Sequence, residues 1–429
     1  AAMLNALTVV DFVAITESPT AIDAIMLLKP NVYVKGPDYV DASTDVSGNI
    51  AREHEAVASV GGRIQFTEAP TMSSSKIINS IDATKNSHLA NWLTEFRKQH
   101  SEVDVTTALT QIANLKVLVI GEAIIDEYVL CEALGKSSKD PVLAFHELSY
   151  ERQIGGSLAI AAHCAGLGAQ VTALFYIGDN EIDEEFIRSR VSSNISLEFV
   201  KSKSMPTIIK RRYVDSLTES RVFETYIMSD ESVSDVDESN LRDKLNTLLP
   251  ISDIVLVADY GHGLLSERVI QDLATSNNLL AVNTQSNAGN RGYNTISRYP
   301  RVDFVCLNGS EMGLELRRKH LSMTDLVPQL RSRTGAKRAI VTEGARGLAC
   351  CDETGTVVHV PAFAQTVKDR VGAGDALFAV TALLFATNTP SDITGLFGNL
   401  AGAALVSELG NRSHISAANL MRHASALLK

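Results

Sequence analysis

Two hydrophobic patterns alternate along the 429-residue chain. Continuous apolar runs predict strands that are buried on both faces of a parallel sheet, and they lie at 116–121, 171–175, 254–258 and 304–307. Three other segments, 141–153, 208–213 and 222–227, alternate apolar and polar side chains, which predicts antiparallel strands with one open face. We therefore expect an α/β protein in which helices flank a mostly parallel sheet and a small β-lid closes over a substrate.

The first 80 residues repeat this alternation of elements on a smaller scale. Strands are predicted at 10–15, 32–34 and 63–66, and helices at 21–28 and from Ser73 onward. A polar stretch at 84–115, which contains the single tryptophan Trp92, predicts helices that link two domains. The predicted organisation is therefore part of an α/β domain at 1–83, a helical linker at 84–115 and a main domain at 116–429.

Composition and charge narrow the classes of function. Apolar residues make up 45% of the chain and charged residues 21%, which is typical of a globular protein. The net charge of −11 argues against a nucleic-acid partner, because binding a phosphate backbone requires a basic surface. The five cysteines lack metal-ligand spacing, so we expect reduced and mostly buried thiols. With no signal segment and no apolar run of membrane-spanning length, we expect a cytoplasmic location.

The strongest chemical signal lies near the end of the chain. The tripeptide Gly372–Gly374 is followed at once by Asp375 and then by an almost entirely apolar, helix-compatible run to Ala386. A glycine turn at a helix N-terminus directs N–H groups and partial positive charge to one point, which predicts an anion cradle. A carboxylate at its mouth is suited to accept the proton of a substrate hydroxyl during phosphoryl transfer. The competing interpretation is an ordinary helix start with Asp375 in its first turn.

Further candidate residues follow predicted strands. Asp126 comes shortly after the 116–121 run, in a predicted turn at the sheet edge where α/β proteins bind ligands, and is placed to hold sugar hydroxyls. Gly155 and Gly156 open an alanine-rich helix and permit close approach of a ligand. His262, after the 254–258 run, is expected at the rim of the site or in a substrate-orienting role rather than as the base. Each of these residues also fits an ordinary loop or packing role.

The order and spacing of these motifs resemble those of the ribokinase-like, or PfkB-type, carbohydrate kinases over residues 116–429. The motifs that carry the resemblance are the strand ending in Gly121 with Asp126, the Gly155-Gly156 helix start, Leu167-Gly168-Ala169, Asn308-Gly309-Ser310-Glu311, Val341-Thr342-Glu343-Gly344 and Gly372-Ala373-Gly374-Asp375. The resemblance implies a ribokinase-like fold that transfers phosphate from ATP, with magnesium, to a small-molecule sugar or sugar phosphate. It also implies a homodimer joined through the lid.

The resemblance implies a role for each matching residue. Asp375 would be the general base, and Asn308 and Glu311 would organise magnesium through its waters. The transferred phosphoryl group would be held by Gly372, Ala373 and Gly374. The nucleotide would lie along Gly344, Gly347 and Asn399. The sugar or its phosphate would be held by Asp126, Gly155, Gly156, Lys210 and Arg212. Lys210 and Arg212 lie two apart on one predicted strand and share a face, which equally fits two exposed lid cations.

Finer resemblances concern the substrate and the N-terminal segment. Residues 136–142 and 206–213 are most similar to those of bifunctional heptose 7-phosphate kinase and heptose 1-phosphate nucleotidyltransferases. Residues 1–83 resemble the C-terminal half of a cytidylyltransferase-like domain but lack its His-x-Gly-His motif, so a truncated or remnant domain is expected. Departures at Ala159 and 283–285 weaken the heptose assignment. The alternatives are a nucleotide-binding regulator or scaffold with little turnover, and a nucleotidyltransferase completed by residues outside this sequence.

Overall fold

The chain divides into two compact units, Ala1–Asp82 and Ala83–Lys429. The computed structural model describes residues 10–14, 20–35, 49–67, 87–229, 231–287, 289–318, 322–364, 367–407 and 410–428. All five cysteines are buried and none forms a disulfide, as predicted. Within the described ranges, no helix has both the length and the apolar character needed to cross a membrane.

The described part of the smaller unit contains a pair of parallel strands and two helices. Its elements are α1 (Ile22–Leu28), β1 (Val32–Lys35), α2 (Asn49–Ser59) and β2 (Arg63–Phe66). Ile25 of α1 and Val57 of α2 are buried in a small core, against which Tyr33 and Ile64 of the strands pack. The predicted alternation of parallel strands and helices is confirmed for these elements.

Two predictions for the smaller unit have other outcomes. The strand predicted at 10–15 is wrong for its described part, because residues 10–14 form no strand. Phe12, at the centre of that run, is 93% exposed, so its side chain contributes little burial free energy to stabilise a strand there. The helix predicted from Ser73 lies outside the described residues.

The larger unit begins with helices α3 (Ser87–Gln99) and α4 (Glu102–Thr110). Ser101 starts α4 through a capping box, in which the Ser101 and Asp104 side chains each accept the other residue's backbone N–H. Phe96 of α3 and Leu109 of α4 are buried in the main hydrophobic core. The stretch predicted as a linker is therefore helical, and its apolar face packs as part of the larger unit.

Within the described residues, the central sheet of the larger unit has nine strands. Its strands and those of the lid are β3 (Lys116–Gly121), β4 (Ala123–Lys136), β5 (Leu143–Gly156), β6 (Gln170–Gly178), β7 (Ile195–Ser202), β8 (Ile208–Asp215), β9 (Arg221–Ile227), β10 (Ile254–Asp259), β11 (Leu279–Thr284), β12 (Phe304–Asn308), β13 (Arg338–Thr342), β14 (Leu348–Cys351) and β15 (Val357–Val360). The sheet order is β15-β14-β13-β12-β11-β10-β3-β6-β7. All pairs are parallel except those of β14 with β13 and β15. The mostly parallel sheet is confirmed.

Helices cover both faces of this sheet. They are α5 (Ser157–Gly166), α6 (Glu181–Arg190), α7 (Asp235–Leu248), α8 (Glu267–Thr275), α9 (Gly309–Leu316), α10 (Met323–Thr334), α11 (Ala373–Ala386), α12 (Ser391–Val406) and α13 (Ala417–Leu428). In β3, Val119 joins the core shared with α5, α11 and α12, whereas Leu118 and Ile120 join the core shared with α7, α8 and α10. Both faces of β3 are thus buried, which explains its continuous apolar sequence.

The lid is a separate four-stranded sheet in the order β5-β4-β8-β9. The outer pairs are antiparallel, but the central β4–β8 pair is parallel, so the prediction of a purely antiparallel lid is wrong at its centre. Strand β4 is absent from the sequence-based expectation, because its first half is buried on both faces and its second half is exposed. Asp126, expected in a turn, lies on this strand.

Candidate active site

The candidate site lies where the carboxyl ends of the central strands meet the lid. Asp375, in the first turn of α11, accepts a hydrogen bond from Tyr260, which follows β10. The charges of Asp126 and Lys210 on the lid and of Glu311 on α9 lie close enough to influence Asp375. The structure therefore brings together the residues predicted as the base, as sugar ligands and as part of the metal site.

The glycine turn before Asp375 adopts a conformation that few other residues tolerate. Gly372 caps α11 with φ of 79°, in the left-handed region. A Cβ atom added to Gly372 would lie 1.7 Å from Oδ1 of Asn411, whereas a Cβ on Gly374 would meet no atom within 4 Å. The first N–H groups of a helix have no intrahelical acceptor, so the main chain from Gly372 to Gly374 offers donors to an anion.

Asp375 is buried and is held by two neutral donors. Its Oδ1 accepts hydrogen bonds from the Tyr260 hydroxyl at 2.8 Å and from Gln285 Nε2 at 3.3 Å. Burial raises the pKa of Asp375 to about 7, and the Tyr260 hydrogen bond opposes that rise. A carboxyl group with a pKa near neutrality exchanges protons readily at physiological pH, as a general base requires.

Asp126 faces the site from the lid and is paired with an arginine. Nη1 of Arg212 donates a short hydrogen bond to Asp126 Oδ1, and both side chains are almost fully buried. The other carboxylate oxygen crowds Gly155, where an added Cβ would lie 2.1 Å from it. Gly156, with φ of 56°, then turns the chain into α5. Both glycines thus make room for Asp126 and for the end of the strand.

Lys210 lies beside Asp126 on the neighbouring strand, because the two residues are partners in the parallel β4–β8 register. Its ammonium nitrogen is 5.6 Å from the ring centroids of both Tyr226 and Tyr260. Burial lowers the pKa of Lys210, although nearby acids, Asp126 first among them, oppose that shift. Lys210 and Arg212 therefore share a face as predicted, and this face points into the site rather than to bulk solvent.

The loop after β10 is held by a buried glutamate. Glu122 accepts the backbone N–H of Tyr260 at 2.9 Å and that of His262 at 3.1 Å. Burial and the nearby charge of Asp259 raise the pKa of Glu122 well above its usual range. His262 is largely buried, with 8% of the residue exposed, and its expected rim or substrate-orienting role stays a prediction. The loop thus fixes Tyr260, which in turn contacts Asp375.

A small pocket lies next to this loop, between the ends of β3 and β6 and lid strand β8. Glu122, Tyr176, Ile208 and His262 are among its lining residues. The Tyr176 hydroxyl and His262 Nε2 are buried and have no hydrogen-bond partner among the described residues. Burial lowers the pKa of His262 to about 4, so the ring is neutral at physiological pH. The pocket therefore offers two neutral polar groups, the Tyr176 hydroxyl and the His262 ring, beside the Glu122 carboxyl.

Asn308 and Glu311 form the capping box that starts α9. Asn308 N–H donates to Glu311 Oε2 at 2.8 Å, and Glu311 N–H donates to Asn308 Oδ1 at 2.9 Å. Ser286 N–H reaches the second carboxylate oxygen at 3.2 Å. Burial raises the pKa of Glu311 to about 7. Glu311 therefore caps α9, and these hydrogen bonds hold its carboxylate in a fixed position.

These oxygen atoms fit a magnesium ion held through water. Carboxylate and amide oxygens are hard ligands, each oxygen retains a free lone pair, and a nearby cation would favour ionisation of the buried Glu311. Among the described residues, no group of three or more His, Cys, Asp or Glu side chains could enclose a metal. Magnesium usually keeps several waters and binds through few carboxylates plus phosphates, so a full protein cage is not required.

The residues predicted for the nucleotide gather around the end of β15. Asn399 Nδ2 donates to the carbonyl oxygen of Val360 at 3.1 Å. Gly347, with φ of 97°, approaches the same carbonyl so closely that an added Cβ would lie 2.0 Å from it. Gly344, with φ of 59°, opens the turn after β13. These contacts give Asn399 and Gly347 a structural role at this edge, and their contact with a nucleotide stays a prediction.

Several site residues escape the sequence-based prediction. Tyr260 and Gln285 contact Asp375, and Tyr176 lines the adjacent pocket. Asp369 and Arg221 join the glycine turn to the lid. Tyr260 lies two residues after the predicted 254–258 strand, and that position was its signal. Gln285 follows β11, which the sequence did not predict, and its only signal was the departure of 283–285 from the heptose-kinase pattern. Tyr176 and Arg221 lie within strands and carry no local signal.

Comparison with known proteins matches the larger unit. The model of the pfkB family carbohydrate kinases matches residues 114–418. A bifunctional protein HldE of Rhodopseudomonas palustris is 26% identical over 319 residues, which is 72% of this chain and 64% of that protein. The HldE of Koribacter versatilis is 27% identical over 68% of this chain and 60% of its own length. The chain thus matches less than two thirds of the length of these curated relatives.

Solved structures share the fold at low sequence identity. Phosphofructokinase-2 from Escherichia coli, in complex with substrates and products, superposes with a TM-score of 0.59 at 16% identity, covering 74% of this chain and all of that one. A ribokinase from Thermotoga maritima gives a TM-score of 0.57 at 18% identity, covering 72% of this chain and 99% of that one. The predicted ribokinase-like fold with a second, lid-forming sheet is confirmed for the larger unit.

Proposed function

Because the chain belongs to the pfkB family of carbohydrate kinases, and is thus a phosphotransferase with an alcohol acceptor, we propose that Asp375 activates a hydroxyl of a sugar phosphate for attack on ATP. The observation that carries this proposal is the buried Asp375 carboxyl, which lies at the N-terminus of α11 directly after the left-handed Gly372 turn. Base and anion cradle are therefore adjacent in space as well as in sequence.

The proposed reaction is an in-line transfer. Ionised Asp375 accepts the hydroxyl proton while the sugar oxygen forms a bond to the γ-phosphorus, and the bond from that phosphorus to the leaving ADP oxygen breaks. The N–H groups of Gly372–Gly374 stabilise the charge on the transferred phosphoryl group. Tyr260 and Gln285 orient Asp375. Glu311 and Asn308 would hold a magnesium ion through its waters, and the ion would neutralise charge on the ATP phosphates.

A sugar phosphate is favoured over a neutral sugar because the lid presents cations to the site. The guanidinium of Arg212 is already engaged by Asp126 and Glu224, whereas the ammonium of Lys210 lies over aromatic rings. We expect Lys210 to contribute more to a phosphate. The sequence resemblance to heptose 7-phosphate kinases supports heptose 7-phosphate as the acceptor and the 1,7-bisphosphate as the product.

The lid also supports the proposal of a homodimer. Leu143, Tyr150, Phe223 and Ile227 are each between 42% and 66% exposed, although they lie on β-strands of the same sheet. Large exposed apolar side chains that share a sheet are typical of an association surface. Equilibrium sedimentation at micromolar concentration tests this proposal, and a monomer throughout the range would refute it.

The smaller unit is proposed to be a partial cytidylyltransferase-like domain. Its parallel β1–β2 pair, flanked by α1 and α2, supports this proposal without identifying a ligand. Titration of the chain with CTP and ATP analogues, using Asp375→Asn to remove turnover, would test nucleotide binding at a second stoichiometric site. A single site per chain would favour a remnant without nucleotidyl-transfer function.

The kinase proposal is tested by ADP release from magnesium-ATP across a panel of sugars and sugar phosphates that includes heptose 7-phosphate and fructose 6-phosphate. We expect one acceptor to stimulate ADP release and Asp375→Asn to abolish that stimulation. If no acceptor stimulates turnover while an ATP analogue still binds, the alternative of a nucleotide-binding regulator with little turnover gains support, and the departures at Ala159 and Asn283 become its explanation.

A further inference from the structure

Asp369 is a buried carboxylate that collects donors from two different parts of the larger unit. It precedes the glycine turn by three residues, and its side chain is only 3% exposed. Its Oδ1 accepts Val371 N–H at 3.0 Å and a short hydrogen bond from Arg221 of lid strand β9. Its Oδ2 accepts Gly410 N–H at 3.0 Å and the hydroxyl of Tyr128, on lid strand β4, at 3.4 Å.

Two of these donors belong to the lid and two to the main chain beside the anion cradle. Val371 immediately precedes Gly372, so its N–H fixes the entry of the chain into the turn. Although burial raises the pKa of Asp369, its hydrogen bond from Val371 N–H and the charge of Arg221 hold the pKa below its usual range. The carboxylate is therefore ionised and keeps all four contacts at physiological pH.

The segment at Gly410 and Asn411 reinforces the same connection. A Cβ added to Gly410 would lie 2.8 Å from ring atoms of Tyr128 and 2.4 Å from Gln153 Oε1, so this backbone is in direct contact with the lid. Asn411 places Oδ1 against Gly372, and its Nδ2 reaches the Ile154 carbonyl of β5 at 3.5 Å. Three lid strands thus reach the turn, β4 and β5 through buried residues and β9 through the partly exposed Arg221.

We propose that Asp369 is a positioning residue, which links the lid to the phosphoryl-binding turn so that the geometry of Gly372–Gly374 depends on the position of the lid. The inference rests on the proposed function of that turn. A lid displaced from the site withdraws Arg221 and Tyr128 from Asp369 and loosens Val371. A closed lid restores these donors and fixes the turn, so that phosphoryl transfer is coupled to closure over the acceptor.

The chain supplies a matched control for the key ion pair. Arg211 lies next to Arg212 on β8 and pairs with Glu127, a residue of the lid itself. Arg211→Gln therefore removes a lid ion pair of the same type without touching the link to Asp369. Arg221→Gln breaks that link, and Arg221→Lys retains a positive charge near it. Tyr128→Phe deletes a single hydroxyl donor and keeps the test available if Arg221→Gln does not fold.

The first readout is amide hydrogen exchange of the full chain, which requires no turnover. We expect Arg221→Gln to increase exchange across 367–378 by about tenfold relative to wild type, as for the loss of a hydrogen bond to a charged group. Arg221→Lys and Tyr128→Phe should give smaller increases, and Arg211→Gln none. Equal exchange across 367–378 in Arg221→Gln and Arg211→Gln would overturn the proposal, whatever the activity of the protein.

The second readout is steady-state kinetics with magnesium-ATP and heptose 7-phosphate or fructose 6-phosphate, whichever stimulates ADP release. Arg221→Gln should lower kcat by about tenfold with little change in the KM for ATP, because positioning of the phosphoryl group is lost. A rise in the KM for ATP at unchanged kcat would contradict a positioning role. If neither acceptor stimulates wild type, the kinase proposal fails, and the exchange data still decide whether Asp369 couples lid and turn.

Discussion

The two walls of the candidate site hold their carboxylates by different means. On the wall formed by the central sheet, Glu122, Glu311 and Asp375 accept hydrogen bonds from backbone N–H groups, a phenol and an amide. On the other wall, which we call the lid wall, Asp126 lies on lid strand β4 and Asp369 lies where the lid contacts the glycine turn. Both carboxylates are held by arginines. Burial raises the pKa of the carboxyl groups that have only neutral donors, whereas the Val371 N–H and the Arg221 guanidinium hold the pKa of the buried Asp369 below its usual range.

This difference assigns the two walls different tasks. Burial raises the pKa values of Glu311 and Asp375 to about 7, so the sheet wall is able to exchange protons and to gain from a magnesium ion. The lid wall is charged, and its ion pairs fix geometry instead of transferring protons. We therefore expect substitutions in the sheet wall to affect the chemical step and its pH dependence. In the lid wall, substitutions around Asp126 should affect acceptor binding, and those around Asp369 should lower kcat by loosening the glycine turn.

The largest expected effect is that of Asp375→Asn in the sheet wall. Removing a general base lowers kcat by about 10² to 10⁴-fold, since an amide cannot accept the hydroxyl proton. The KM for ATP should change little. Measurement of ADP release with saturating acceptor checks the loss, and circular dichroism checks folding. A kcat within about threefold of wild type would exclude Asp375 as the base, because removing a general base lowers kcat far more than this.

A second large effect is expected from the glycine turn. Gly372→Ala forces a left-handed backbone on a residue with a Cβ, at a cost of about 1–2 kcal/mol, and drives that Cβ against Asn411. We expect a lower melting temperature and a displaced turn with most activity lost. Gly374→Ala is the control, because its Cβ meets no atom within 4 Å. Equal loss in both variants would show that packing at Gly372 does not control the turn.

An intermediate effect is expected in the lid wall from Arg212→Gln. Loss of one partner of a buried ion pair leaves Asp126 unpaired, which typically costs about 3–5 kcal/mol. The KM for the acceptor should rise by more than that for ATP, and the melting temperature should fall. Arg211→Gln, whose side chain is 35% exposed, should cost about 0–1 kcal/mol. A rise in the KM for ATP alone would contradict the assignment of Asp126 to the acceptor.

The smallest expected effect is a shift in pH dependence. Asp375 acts as a base only when ionised, so kcat should increase with pH through about 7. The Tyr260 hydroxyl lowers the pKa of Asp375, and Tyr260→Phe should therefore move the midpoint to higher pH. The pH–rate profile of Arg211→Gln should coincide with that of wild type. A midpoint below pH 5 in wild type would mean that Asp375 is not the titrating group.

The raised pKa values also predict how the stability of the unliganded protein changes with pH. A carboxyl whose pKa is higher in the folded than in the unfolded state contributes stability below its unfolded value of about 4, and this contribution is lost as pH increases through its folded value. For Asp375 and Glu311 that window extends to about pH 7. Between about pH 4 and about pH 7, the free energies of unfolding of wild type and Asp375→Asn should diverge as pH rises, and denaturant titrations measure this difference.

The sequence by itself determined the elements whose signal is local. Four continuous apolar runs specified β3, β6, β10 and β12, because a strand covered by helices on both faces has no position for a polar side chain. The Gly372–Asp375 motif specified a helix start with a carboxylate in its first turn, because turn, cap and apolar helix lie next to each other in the chain. These features require only neighbouring residues.

Only the tertiary structure decided which distant residues meet. Tyr260 contacts Asp375 across 115 residues, and Arg221 contacts Asp369 across 148. Strand β4 is buried at one end and exposed at the other, so no single hydrophobic periodicity predicts it. The position of Asp126 on this strand could therefore not be predicted either. The pKa values of Asp375 and Glu311 depend on burial and on donors from other elements, which no local pattern encodes.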